Sequence, residues 1–140
     1  MDSSLKMSVK SIRIVGAGLI GTSIGLALTA RGTQVEMIDQ DPNAQKLAQD
    51  LMASEISANP EVVLFAVPPS AFLEVASREF VINPESKFID IGSVKTKPQQ
   101  DISTIPGAKT RFLASHPMAG REVVGAASAR ADLFEGRPWI

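Results

Sequence analysis

The run Ile12-Arg13-Ile14-Val15 leads directly into Gly16-Ala17-Gly18-Leu19-Ile20-Gly21, and a small-residue helical pattern follows from Thr22 to Arg31. Few short patterns constrain a chain as tightly as Gly-x-Gly-x-x-Gly placed between a strand and a helix. The first glycine turns the chain sharply out of the strand, and the second has no Cβ to hold a phosphate at a distance. The third lets the helix pack close to the sheet, with its free N–H groups and positive dipole end aimed at an anion. A second signal agrees. Val35-Glu36-Met37-Ile38 reads as the next strand and ends in Asp39, 18 residues beyond Gly21, near the spacing expected of a carboxylate that grips an adenosine ribose. The pattern predicts a dinucleotide site built from Gly16, Gly18, Leu19, Ile20, Gly21 and Asp39.

Composition narrows the partners. The net charge of −1 offers no basic field for nucleic acid, and with six Phe, one Trp and no Tyr there is little surface on which bases stack. One histidine and no cysteine exclude disulfides and leave no ligand set for a structural metal, so no metal is expected. No apolar run approaches the roughly 18 residues that span a bilayer, and Met1–Lys10 lacks the apolar core of a secretory signal. The expectation is a cytoplasmic protein without membrane or nucleic-acid partners.

Strand-like and helix-like stretches alternate along the chain. After an N-terminal arm over residues 1–10, strands are expected at Ser11–Val15, Gln34–Ile38, Val62–Val67, Phe88–Ile91 and Arg111–Ser115, with the start of another at Arg137–Ile140. Helices are expected at Leu19–Ala30, Asn43–Met52, Ala71–Glu79 and Gly125–Leu133, and a short one at Pro98–Ile105. The first turns Ile20, Ile24, Leu26, Ala27 and Leu28 inward, and the second Ala44, Leu47, Ala48 and Leu51. This is an α/β fold, a Rossmann-like doubly wound, mainly parallel sheet occupying residues 11–140. The link Ala53–Pro60 is too short for a crossover helix, so the third strand of a regular half is expected to be missing or vestigial.

Chemistry in such sheets gathers at the carboxyl ends of the strands. Asp39, Val67-Pro68, Gly92-Ser93-Val94-Lys95 and His116 fall on those ends. His116 precedes Pro117, which favours extended backbone, and an imidazole there serves either as a proton acceptor near neutral pH or as a hydrogen-bonded loop group. Ser93 either caps the following segment or bonds a histidine, a substrate oxygen or the nicotinamide ribose. No Gly-x-Ser-x-Gly elbow supports a nucleophilic serine. Lys95 and Arg121 add positive charge and Glu122 negative charge close by. The carboxylate of Asp39 favours NAD over NADP, because it accepts from a 2′-hydroxyl and repels a 2′-phosphate.

Five segments occur in order: the glycine motif, Val67-Pro68-Pro69, Asp90-Ile91-Gly92-Ser93-Val94-Lys95, His116-Pro117-Met118-Ala119-Gly120-Arg121-Glu122, and Leu133-Phe134-Glu135-Gly136-Arg137-Pro138-Trp139. Together they resemble the nucleotide-binding half of the prephenate/arogenate dehydrogenase family of tyrosine biosynthesis. The resemblance implies NAD-dependent oxidative decarboxylation of prephenate (or arogenate), with His116 as proton acceptor and Ser93 orienting it. It also implies Val67 and Pro68 beside the cofactor, and Lys95, Arg121 and Glu122 toward the substrate. Arg121 stands where a small hydroxyl residue is common in the family. Members continue into a helical domain that forms a homodimer and completes the substrate pocket. No such domain follows Ile140, so this chain alone is expected to be weakly active or inactive. Other reductases of the same fold and a non-catalytic NAD sensor are the alternatives.

Overall fold

The computed structural model describes residues 9–52, 59–91 and 96–114. Five strands, β1 (Ser11–Val15), β2 (Gln34–Ile38), β3 (Val62–Phe65), β4 (Lys87–Asp90) and β5 (Phe112–Ala114), form one sheet in the order β2-β1-β3-β4-β5. Every pairing is parallel. The four helices between them are α1 (Leu19–Thr29), α2 (Pro42–Met52), α3 (Pro69–Ile82) and α4 (Thr96–Ser103). The expected helix and strand at the carboxyl end of the chain lie outside the described residues, as does the Glu55-Ile56-Ser57 segment.

The strands split the core in two, as alternation along a strand requires. Ile12 and Ile14 of β1 and Val35 and Met37 of β2 join Ile24 of α1 and Ala48 and Met52 of α2 on one face. Val15, Val63, Phe65 and Phe88 meet Phe72, Ala76 and Phe80 of α3 and Ile102 of α4 on the other. Here Phe65 meets Phe72 edge-on at 5.3 Å, and Phe80 stacks on Phe88 at 3.9 Å. Arg111 lies 5.0 Å above both Phe80 and Phe88 and donates to the carbonyl of Pro84, which ties the α3–β4 turn to the start of β5.

The sheet's bonding starts before β1 itself. Lys10 N–H donates to Glu61, and the carbonyls of Val9 and Lys10 accept from Thr33 and Gln34.

One buried charge lies under α3. Glu79 is fully buried and receives a bidentate bond from Arg13 of β1, at 2.7 and 3.0 Å, and one from Asn83 at 2.9 Å. Glu36 of β2, the cross-strand neighbour of Arg13, completes the network at 3.1 Å. Burial alone pulls the Arg13 pKa down, but the hydrogen bond and charge of Glu79, joined by Glu36, outweigh it and hold the pKa above its ordinary value. The pair spans sheet and helix with both Glu79 oxygens hydrogen-bonded, the condition under which a buried ion pair is tolerated.

Several elements differ from expectation in detail. The third helix begins two residues early, with Pro68 as N-cap and Pro69 at its first position, where a missing N–H costs nothing. The larger difference is in α2. Leu47 and Leu51 are exposed at 47% and 42%, while Ala48 and Met52 are buried. Gln45 and Gln49 share the inward side with Ala48 and Met52, because positions 45, 48, 49 and 52 form one helical face. In α1 the inward line likewise includes Gly21, Thr22, Ser23 and Gly25 beside Ile24, and Ile20, Leu26 and Leu28 pack at its margins.

The glutamines bond the outer edge of β2. Residues 34, 36 and 38 of β2 turn their backbone groups toward β1, leaving those of 35, 37 and 39 on the outer edge. Gln49 accepts from Met37 N–H at 2.7 Å and donates to the Val35 carbonyl at 3.0 Å, and Gln45 accepts from Asp39 N–H at 2.8 Å. Among the described residues no strand lies beyond β2. Two amide side chains take the bonds that such a strand would offer.

Candidate nucleotide-binding site

The carboxyl ends of β1, β2 and β3 meet at the point where strand order reverses, with α1 leaving β1 toward one face and α3 leaving β3 toward the other. A crevice at that point is where open parallel sheets hold ligands. Its floor is the glycine loop. Gly16 has φ +116°, and a Cβ there would lie 2.2 Å from the Ala66 carbonyl oxygen, so the first glycine is demanded both by its backbone and by the exit of β3. Gly21 is demanded by space alone, since a Cβ would lie 2.2 Å from the Gly16 carbonyl oxygen.

Gly18 is different. Its φ of −82° and ψ of −165° suit any residue, and among the described residues a Cβ there meets nothing within 4 Å. Neither strain nor packing among the described residues calls for a glycine. What remains is the approach of a ligand from outside, over the start of α1. That start has no side-chain cap and no acidic residue in its first turn. The N–H groups of Leu19, Ile20 and Gly21 belong to this uncapped turn, where a helix leaves its donors without intrahelical acceptors. The arrangement suits a pyrophosphate.

Asp39 completes the floor. One carboxylate oxygen accepts from Ala17 N–H in the glycine loop at 2.8 Å, and the other from Asp41 N–H at 2.9 Å. Each oxygen retains a second lone pair, so the group can still accept from a ribose hydroxyl while keeping its negative charge. Asp41 in turn caps α2, accepting from Asn43 N–H at 2.9 Å. Across the crevice, Val67 packs partly buried against the phenylalanine face and Pro68 caps α3.

The structure thus gathers Gly16, Gly18, Leu19, Ile20, Gly21, Asp39, Val67 and Pro68 at one edge. Ser93, Lys95, His116, Arg121 and Glu122 lie outside the described residues. Sequence reasoning missed Ala17 and Gln45, which hold Asp39 from two sides, and Ala66, which walls the loop. The only advance signal was the i, i+4 spacing of Gln45 and Gln49 on the face of Ala48 and Met52. It also passed over Asp90, a carboxylate 1% exposed that ends β4 at this edge.

Comparison with known proteins identifies the family. Residues 24–140 match the family model described as prephenate dehydrogenase, nucleotide-binding domain. The chain belongs to that family. A probable prephenate dehydrogenase of Streptomyces niveus is 33% identical over 129 residues, which cover 90% of this chain and 36% of the relative. The prephenate dehydrogenase of Lactococcus lactis is 28% identical, covering 94% and 40%. Among solved structures, the Aquifex aeolicus prephenate dehydrogenase in complex with hydroxyphenyl propionate and NAD+ superimposes with a TM-score of 0.82 at 29% identity, covering 95% of this chain and 50% of that one. A Synechocystis arogenate dehydrogenase shares the fold, with a TM-score of 0.80 at 23% identity. The chain therefore spans about two-fifths of the length of these curated relatives and half of the Aquifex enzyme.

Proposed function

We propose that this chain is the NAD-binding half of a prephenate dehydrogenase, which oxidises and decarboxylates prephenate to 4-hydroxyphenylpyruvate in tyrosine biosynthesis. The observation that carries the cofactor part is Gly18, a glycine that nothing among the described residues requires, set at a helix start without a side-chain cap and one residue from Ala17, which bonds the Asp39 carboxylate. The first-turn N–H groups of α1 take the pyrophosphate, and Asp39 takes the adenosine 2′-hydroxyl. A 2′-phosphate meets the same carboxylate as a repulsion, so NAD is preferred to NADP. Val67 and Pro68 border the cofactor from the far side of the crevice.

Bound NAD supplies the hydride acceptor, and the chain's own work is alignment and proton transfer. His116 accepts the proton of the substrate's ring hydroxyl, and Ser93 orients the imidazole and that hydroxyl. Loss of CO₂ then leaves an aromatic ring. Lys95, Arg121 and Glu122 set the charge toward the substrate. Support for this reading comes from the family and from β4 and β5, which precede Ser93 and His116 and run parallel to the cofactor-binding strands. A helical domain that dimerises the protein and completes the substrate pocket belongs to the same proposal.

The deciding assay is prephenate-dependent reduction of NAD+ by the protein that carries this domain, run beside arogenate and NADP+. Turnover with prephenate and NAD+ is expected. Turnover with arogenate alone keeps the mechanism and changes the substrate. NAD+ binding without either turnover points to a sensor or another reductase. His116→Asn is expected to lower kcat by a factor on the order of a thousand, within the range of general-base catalysis, with NAD+ affinity nearly unchanged. A comparable loss of NAD+ binding contradicts the role given to His116.

A further inference from the structure

The grip of Gln45 and Gln49 on β2 reaches the cofactor site. Asp39 stands one residue past the end of β2, where the strand's regular pairing with β1 has stopped. It is held instead at three atoms: its N–H by Gln45, one carboxylate oxygen by Ala17 N–H and the other by Asp41 N–H. Only the first of these holds fixes the backbone of Asp39 on the outer edge. We infer that Gln45 is a positioning residue for cofactor selection, acting through Asp39, while Gln49 serves the sheet edge alone.

The chemistry of an amide suits both tasks. Gln49 presents acceptor and donor together, as a neighbouring peptide group would, and so satisfies Met37 N–H and the Val35 carbonyl at once. Gln45 offers Asp39 an acceptor without a charge. A carboxylate in its place would accept the same bond, and a thioether of similar length would accept it only weakly. Removing the acceptor leaves a part-buried N–H without its partner and lets the end of β2 drift. The Asp39 carboxylate then loses its set direction between the glycine loop and the ribose. Affinity for NAD+ falls, and the repulsion that disfavours NADP+ weakens with it.

The inference rests on the reading of Asp39 as the ribose acceptor, and the test separates the two. NAD+ and NADP+ are titrated calorimetrically into the full chain and into Gln45→Met, Asp39→Ala, the double variant, Gln45→Glu and Gln49→Met. Gln45→Met is expected to weaken NAD+ roughly fivefold to tenfold, the scale of one hydrogen bond, and to narrow the preference over NADP+. In the Asp39→Ala background the same change is expected to alter affinity by less than about twofold, because residues acting as one unit are not additive. Gln45→Glu retains the acceptor and keeps the preference for NAD+. Gln49→Met lowers the melting temperature and leaves NAD+ affinity within about twofold, because its bonds go to Val35 and Met37 and not to Asp39.

If Asp39→Ala leaves both NAD+ affinity and the preference unchanged, the ribose reading falls. If Asp39→Ala weakens NAD+ and Gln45→Met does not, or Gln45→Met exerts its full factor in the double variant, Gln45 has no positioning role. Should Gln45→Met fail to fold, Gln45→Ala takes its place in the same titrations: unchanged NAD+ affinity and preference overturn the inference, and a weakening that vanishes in the Asp39→Ala background supports it.

Discussion

On the α1 and α2 side, the sheet meets glycine and thioether. Gly21 lies against the backbone of Gly16, and a Cβ at Gly25 would come within 2.9 Å of Met52 and 3.1 Å of Met37. On the α3 and α4 side it meets aromatic rings, with Phe65, Phe72, Phe80 and Phe88 packed across the full height of the strands. The two faces bury comparable elements by opposite means. Small residues bring α1 down until its N-terminus joins the edge of the sheet, so close approach there serves the ligand. Large rings fill the space between α3 and the sheet with apolar area, which serves stability. Substitutions on the two faces are therefore expected to fail in different ways.

The glycine loop is expected to give the largest effect. Gly16→Ala pairs a strained φ with a backbone clash and is expected to cost more than about 4 kcal/mol, or to prevent folding, as followed by thermal denaturation. Phe65→Ala on the opposite face comes next, at about 3–5 kcal/mol in denaturant unfolding, with NAD+ affinity of the remaining folded protein little changed. A loss of binding as large as the loss of stability would erase the distinction between the faces. Glu79→Ala leaves the Arg13 guanidinium facing α3 without its main partner and is expected to cost about 3 kcal/mol, again without a change in cofactor preference. Gly18→Ala is the sharpest of the series. It is expected to shift stability by less than about 0.5 kcal/mol and to weaken NAD+ binding by roughly tenfold or more, because the methyl group occupies ground that a pyrophosphate needs. If Gly18→Ala binds NAD+ normally, the open space above it is not the phosphate site.

The chain's own pattern was enough to read the order of strands and helices, the glycine loop, the carboxylate at Asp39 and the parallel sheet. Those features depend on neighbours close in sequence: a β-branched run before Gly16, a proline after Asp41, a buried run at Val62. The family followed from Gly92–Lys95 and His116–Gly120, whose residue types and order are rarer than the glycine motif. What the linear pattern misjudged was α2, where two leucines invited an inward assignment and two glutamines took it. Hydrophobic periodicity cannot rank those faces, because the deciding partner is the outer edge of β2, and which strand ends the described sheet is set only when β3 pairs with β1. The same holds for Asp39. Its charge and spacing were written in the sequence, but its direction comes from Ala17 in one loop and Gln45 in a helix, brought together by tertiary packing.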